Sequence, residues 1–233
     1  MKISVVSFST TNYTIGEHTR KINEQYCKNH GYSFHFYNLI PKDLEKRHPS
    51  WCKLFYIQQT MTNENDDYIM WIDADAFFCN TRFDIKRWID KSENKLIIIS
   101  RDPGYSLEEY EKKQYLLNSG VMIFKNCEKN KQLLNYMLYD PIFVPNYNVN
   151  RSHNPNTGVT GWDQAAIRYC FMQNKYDMKE NTYVNLDSRF NNNTLDVQRY
   201  IDDGGFIIHL TNFMGKFNGR SLETINAFLN LHV

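Results

Sequence analysis

Cysteine is scarce and unpatterned in this chain: five residues, an odd number, scattered as Cys27, Cys52, Cys79, Cys127 and Cys170 with no Cys-x-x-Cys spacing. That argues against a disulfide framework or a zinc site and favours a reducing compartment. An excess of one charge is missing too. The formal net charge is +1, so there is no electrostatic case for nucleic acid or an anionic membrane as partner. No apolar run approaches the roughly 18–20 residues that a membrane span needs. The opening Met1–Phe8 is too short, and followed by too polar a segment, to be a signal peptide. Internal repeats are absent. So is a glycine-rich phosphate loop after the first predicted strand, which weighs against a sugar-phosphate nucleotidyltransferase.

What is present is ordinary in bulk and specific in detail. Hydrophobic residues make up 42% and charged residues 23% of 233, the balance of a globular chain. That length suits one domain burying roughly 70–75% of its unfolded surface. Aromatics are high, with 16 Tyr and 15 Phe, and a core built on them is the simplest use.

Along the chain, Ile3–Phe8 reads as a buried strand, and a polar loop Ser9–Tyr13 follows it. A helix is predicted over Glu17–Asn29, closed by His30-Gly31 with glycine at the expected position past the end. Tyr32–Tyr37 gives a second strand, so the chain opens β-α-β. Further helices are predicted at about Trp51–Thr62, Phe83–Ile89, Asn130–Tyr139, Asp163–Gln173 and Ser221–His232. Further strands are predicted at Tyr68–Ile72, Leu96–Ser100, Ser119–Phe124 and Phe206–His209. Alternating strands and helices predict an α/β domain with a mostly parallel sheet. The segment Asp140–Thr160 carries Pro141, Pro145, Pro155 and Gly158 without periodicity, and reads as a substrate-covering loop or a disordered insertion.

The most informative stretch is Tyr68-Ile-Met-Trp-Ile-Asp-Ala-Asp-Ala-Phe-Phe78. If the chain stays extended, Asp73 and Asp75 point to one side. Two like charges at a buried strand end repel, and a divalent cation with hard oxygen ligands, Mg²⁺ or Mn²⁺, resolves the conflict. The carboxyl ends of strands are also where open α/β sheets bind ligands. Asp-x-Asp by itself equally fits a solvated turn or a helix cap.

Three more constellations carry polar groups at element ends. Asn118-Ser-Gly120 precedes an apolar strand, and its glycine permits close backbone approach, or simply a tight turn. Asp163 and Gln164 open a helix after the long loop, as a substrate contact or as a favourable charge on the helix dipole. His209 ends a buried strand, as a hydrogen-bonded core residue or as a further metal ligand. Lys216 follows closely and could pair with a phosphate.

In this order, Tyr26-Cys-Lys-Asn-His-Gly-Tyr32, Trp51-Cys-Lys53, Trp71-Ile-Asp-Ala-Asp-Ala76, Asn118-Ser-Gly120, Trp162-Asp-Gln164 and His209 resemble the GT-A glycosyltransferases. More narrowly, they are similar to the galactosyl-, mannosyl- and xylosyltransferase family, glycosyltransferase family 34. The resemblance implies a single GT-A domain over 1–233, with a nucleotide-binding part at about 1–100, an acceptor part at about 101–233 and a mobile loop at about 140–160. It implies a UDP- or GDP-sugar donor, UDP favoured, a glycan, glycoprotein or small-molecule acceptor, and retention of anomeric configuration. Mn²⁺ (or Mg²⁺) would be held by Asp75 and His209, with Asp73 on the ion or the donor ribose. Phe8, Ser9 and Thr10 would hold the nucleoside, and Lys53 and Lys216 the phosphates. Asn118 and Ser119 would face the donor sugar or acceptor, and Asp163 and Gln164 the anomeric carbon. Eukaryotic members are usually Golgi-anchored; with no anchor in this sequence, the expectation is a cytoplasmic enzyme, of a bacterium or of a host cell if viral.

Two other classes compete. A haloacid-dehalogenase-type phosphatase also places Asp-x-Asp after a buried strand, but it wants Thr or Val where Ala76-Phe77-Phe78 stand, and usually begins at this strand. A non-catalytic protein of the same fold, holding only a nucleotide or glycan, is opposed by the intact Asp75, His209 and Asp163 set.

Overall fold

A computed structural model of the chain describes residues 1–143, 162–194 and 196–210, together with Ile225 and Phe228. Lys216, most of the 140–160 segment and most of the predicted closing helix lie outside the described residues.

The chain begins β1 (Ile3–Phe8), α1 (Ile15–His30), β2 (Ser33–Tyr37), α2 (Cys52–Asn63), β3 (Tyr68–Ile72) and β4 (Ala76–Phe78). It continues α3 (Lys86–Lys91), β5 (Ile97–Arg101), α4 (Leu107–Lys112), β6 (Leu117–Lys125) and α5 (Glu128–Tyr139). After residue 162 come α6 (Asp163–Met172), α7 (Met178–Asn181), β7 (Thr182–Asn185), α8 (Val197–Asp202) and β8 (Ile207–His209). Six strands form one sheet in the order β2-β1-β3-β6-β5-β7. β1 runs parallel to β2 and β3, and β5 parallel to β7, while β6 is antiparallel to both of its neighbours. The sheet is therefore mostly parallel, with one reversed strand near its centre.

Both faces of this sheet are covered, which is why its strands read as unbroken apolar runs. Alternate residues divide cleanly between two cores. Val6, Phe8, Ile69, Trp71, Ile97, Ile99, Met122 and Phe124 pack against α2, α5 and α6. Ile3, Val5, Met70, Ile72, Ile98, Val121 and Ile123 face Tyr26 and Cys27 of α1 and Trp88 and Ile89 of α3. Each such side chain contributes about 1.5–3 kcal/mol on burial, so a one-residue slip of β3 would mismatch both cores at once. α1 ends as expected: Gly31 takes φ 70°, and its N–H closes on the carbonyls of Cys27 and Lys28. A second, two-stranded antiparallel ribbon joins β4 to β8 and pairs Ala76 with His209.

Candidate active site

The site grows from the carboxyl end of β3. The strand stops at Ile72, and the Ala76 N–H donates to the Asp73 carbonyl at 2.9 Å. Asp73-Ala-Asp75 is thus a tight turn rather than extended chain. The two carboxylates converge because the backbone bends there, not by strand alternation, and the earlier geometric expectation is corrected in that respect.

Helix α1 holds this turn. Thr19 Oγ1 donates to the Ala74 carbonyl at 2.6 Å, Asn23 Nδ2 donates to the Ala76 carbonyl at 3.0 Å, and Asn23 Oδ1 accepts the Phe78 N–H at 3.1 Å. Polar residues four apart on the buried face of an amphipathic helix are the signal that could have revealed these supports. Gly16 brings the helix start close to the turn after β1: a Cβ there would lie 2.4 Å from Ser9 Oγ.

The β4–β8 ribbon then delivers His209. Leu210 N–H donates to the Asp75 carbonyl at 2.9 Å and His209 N–H to the Asn192 carbonyl at 2.7 Å, fixing the strand on both sides. His209 Nε2 lies 3.2 Å from Asp75 Oδ1 and 3.6 Å from Asp73 Oδ2. Ligand atoms of Asp73, Asp75 and His209 all fall within 4.8 Å of one another. Two carboxylate oxygens and one imidazole nitrogen form a donor set suited to Mn²⁺ or Mg²⁺. Nδ1 of His209 is buried without a hydrogen-bond partner among the described residues, and the ring makes its polar contacts from Nε2, on the carboxylate side. Packing orients it, because the ring lies directly over Gly120: a Cβ at 120 would stand 1.8 Å from Cε1. This is the close approach that the glycine of Asn118-Ser-Gly120 permits. Tyr13, which sequence reasoning missed, donates its O–H to Asp75 Oδ2 at 3.2 Å.

The ionisation of this group follows from burial set against charge. Burial pushes the Asp75 carboxyl up, but the His209 charge and hydrogen bond, with the Tyr13 hydroxyl, hold it below the usual carboxylate range. Burial works against the charged form of His209, and Asp75 and Asp73 outweigh it, raising the imidazole above its ordinary value. Burial raises Asp73, with Lys53 and His209 opposing.

Strand β6 brings the second half of the site. Its pairing with β5 is regular down to Ile99–Met122, and the next partner of β5, Ser100, is Asn118. One step on β5 therefore spans four on β6, a bulge of the kind that re-aims side chains at sites. On the other edge Asp73 N–H still donates to the Gly120 carbonyl at 2.8 Å. The bulge turns Ser119 toward α6, where its Oγ donates to Asp163 Oδ2 at 2.8 Å and its N–H donates to Gln164 Oε1 at 3.0 Å. Asn118 Oδ1 accepts from the Gly120 N–H at 2.9 Å and from Asn191 Nδ2 at 3.0 Å. Buried Asn191, with no sequence motif to announce it, thereby orients Asn118.

Lys53 joins the halves. Buried on α2, its Nζ lies 3.0 Å from Asp73 Oδ1 and 2.9 Å from Asp163 Oδ2, and donates to the Ser119 carbonyl at 2.9 Å. Burial disfavours its charge, and the two carboxylates more than restore it, raising its pKa. The lysine expected to meet a phosphate is thus engaged with Asp73, Asp163 and Ser119. At the carboxyl end of β1, the Phe8 ring stacks on Tyr56 at 5.8 Å, Ser9 Oγ donates to the Tyr13 carbonyl at 2.9 Å, and Thr10 is half-buried.

A sheet with one reversed strand, a turn carrying Asp-x-Asp and a histidine returned to it by a ribbon define the GT-A glycosyltransferase class. The chain belongs to the galactosyl transferase GMA12/MNN10 family, whose model matches residues 6–216. It is 31% identical over 111 residues to xyloglucan 6-xylosyltransferase 4 of Arabidopsis thaliana, a match covering 47% of this chain and 20% of that one. It spans about a quarter of the length of the first curated relatives it matches. Among solved structures it resembles a glycosyltransferase involved in the glycosylation of the major capsid of PBCV-1, with TM-score 0.64 at 17% identity, covering 99% of this chain and 100% of that one. It also resembles the galactosyltransferase LgtC in complex with donor and acceptor sugar analogs, with TM-score 0.60 at 13% identity and coverage of 96% and 95%. No helix among the described residues is long and apolar enough to cross a membrane.

Proposed function

We propose that this protein transfers a hexosyl or pentosyl residue from a nucleotide-sugar, UDP-linked in preference to GDP-linked, to a hydroxyl of a glycan, glycoprotein or small molecule, with retention of configuration. The observation that carries this reading is the convergence of Asp73, Asp75 and His209 within 4.8 Å, beside the Ser119–Asp163–Gln164 cluster. Three carboxylates against Lys53 and His209 leave the site negative, which favours a cation there. Mn²⁺ or Mg²⁺ held by Asp73, Asp75 and His209 would supply neutralising charge to the departing diphosphate.

The protein's own groups do the rest by position. Lys53 spaces Asp73 from Asp163 and so fixes the diphosphate end of the cleft relative to the sugar end. Ser119 occupies one face of Gln164 and of Asp163, which leaves the Gln164 Nε2 donors for a sugar hydroxyl. The Asp163 carboxylate stabilises positive charge that builds on the sugar ring as the bond to phosphate lengthens. The acceptor hydroxyl then attacks from the face the diphosphate leaves and passes its proton to the departing diphosphate oxygen, which gives retention. Lys216 remains a candidate second cation on the diphosphate. A cytoplasmic setting belongs to the same reading, supported by five unpaired cysteines.

The test is calorimetric titration of UDP and GDP, with and without Mn²⁺, into wild type and Asp75→Asn. Binding that requires Mn²⁺ and disappears in the variant supports the reading and justifies screening sugars by nucleotide release. No binding of either nucleotide under any metal condition would leave the non-catalytic, glycan-holding alternative, and the transferase reading would fail.

A further inference from the structure

An aromatic pair next to the candidate site has no part in the chemistry above. Trp162 immediately precedes Asp163 at the start of α6 and is 38% exposed, whereas Trp51, Trp71 and Trp88 are buried to 2% or less. Its indole stacks on the His48 imidazole, centroids 5.0 Å apart and planes 24° from parallel. His48 is itself fixed. Its Nδ1 accepts the Ser50 N–H at 3.2 Å and lies 3.0 Å from Ser50 Oγ, capping the short turn Pro49–Trp51 that runs into α2. One ring is thus tied to the element carrying Asp163 and the other to the element carrying Lys53, and those two residues form a 2.9 Å ion pair. Both charges are near enough to His48 to act on it: burial lowers its pKa, with Asp163 opposing and Lys53 assisting. With Nδ1 an acceptor, the neutral ring carries its proton on Nε2.

A rigid, half-exposed indole has few conformations to lose and a broad apolar face to offer. A pyranose ring is complementary to it, with an apolar C–H face and a rim of hydroxyls that stay free to hydrogen-bond elsewhere. Large apolar groups left partly in water beside a cleft with a few convergent polar groups mark ligand sites. We propose that Trp162 and His48 form the acceptor platform, the indole packing on the C–H face of the acceptor pyranose and the His48 Nε2–H donating to one of its hydroxyls. This rests on the transferase reading and adds to it where the acceptor ring sits.

Because Trp162 is the one exposed tryptophan, it can be read selectively in the native protein. Protein loaded with UDP and Mn²⁺ is titrated with acrylamide, with and without millimolar methyl β-glycosides of glucose, galactose, mannose and xylose and their β1,4-linked disaccharides. At least one saccharide is expected to lower the quenching slope of the exposed tryptophan by about half, as direct ring coverage requires. Its affinity, measured by ligand-observed NMR, should fall about tenfold in Trp162→Ala and less than about threefold in Trp162→Phe, which keeps a ring. If UDP–Mn²⁺ does not bind, the transferase reading fails and the platform with it. If UDP–Mn²⁺ binds but no saccharide shields Trp162, or if Ala and Phe weaken the saccharide equally or not at all, the platform alone is wrong. The quenching arm needs no variant, so a Trp162→Ala protein that fails to fold does not shelter the proposal.

Discussion

Gly120→Ala tests the site's construction with a single methyl group. The added Cβ would stand 1.8 Å from Cε1, 2.4 Å from Nδ1 and 2.7 Å from Nε2 of His209. Restoring ordinary contact at 3.4 Å requires the ring to retreat by about 1.6 Å from Cε1. His209 is 2% exposed and is bound through its backbone to both Asn192 and its β4 partner, so it cannot swing freely. Overpacking of this kind typically costs about 1–3 kcal/mol. For a chain of this size that is a fall in Tm of roughly 2–12 °C. Metal ligands, moreover, tolerate about ±0.2 Å, so a retreat many times larger removes the imidazole from the ligand set. Mn²⁺ affinity in the presence of UDP, followed by the loss of free-ion EPR signal, is expected to fall by at least the 10–100-fold seen when only a ligand's support is removed. Asn118→Ala, which leaves the 120 position open, separates steric displacement from general loosening of the bulge. Wild-type Mn²⁺ affinity together with wild-type Tm in Gly120→Ala would refute the placement of His209 over Gly120.

Two further outcomes follow from paired charge. Lys53→Met leaves Asp163, and the 27%-exposed Asp73 side chain, without their cation; a loss of about 3 kcal/mol at neutral pH, or roughly 6–12 °C in Tm, is expected. The deficit should shrink as pH falls, because protonation removes the uncompensated charge, and a pH-independent deficit in thermal melts would contradict this. Asp187 is held below the usual carboxylate range chiefly by its hydrogen bond from Arg189. A group with a depressed folded pKa stabilises above its unfolded pKa of about 3.9 and loses that contribution as pH falls through the folded value. Asp187→Asn should therefore melt below wild type at pH 6–7 and converge with it in acid; parallel pH–Tm curves would count against the pair.

Much of this architecture was legible in the chain because hydrophobic pattern and burial agree. The runs at Ile3–Phe8, Tyr68–Ile72 and Phe206–His209 are apolar on both faces, and all became strands covered on two sides. The β-α-β opening and the glycine after His30 were equally plain, since each element carries its own signal locally. The strands that escaped have weak local signals. β4 (Ala76–Phe78) and β7 (Thr182–Asn185) are short, and the first follows Asp75 with no intervening turn residue to mark a new strand. The reversal of β6 was also invisible, because strand direction depends on the connection and not on the strand's own residues. Gln164 and Asp163 were found at a helix start, but the reason both face the site lies in the bulge of β6, which no pattern in Leu117–Lys125 announces.

The bulge also explains why motifs so far apart in sequence serve one site. A regular β6 would pair Ser119 with β5 and leave Asp163 and Gln164 facing nothing on the sheet. With three extra residues on β6 between the pairings of Ile99 and Ser100, the Gly120 carbonyl stays bonded to Asp73 while Ser119 turns to α6. The same segment thus touches the Asp73–Asp75 turn on one edge and the start of α6 on the other. Lys53 must then be buried, since it fills the gap between carboxylates contributed by those two edges. Its Nζ lies over the Trp71 ring, 5.7 Å from the ring centroid. That contact pre-positions the charge without spending a donor. The spacing between Asp73 and Asp163 is therefore set by Lys53 and is already fixed in the folded chain.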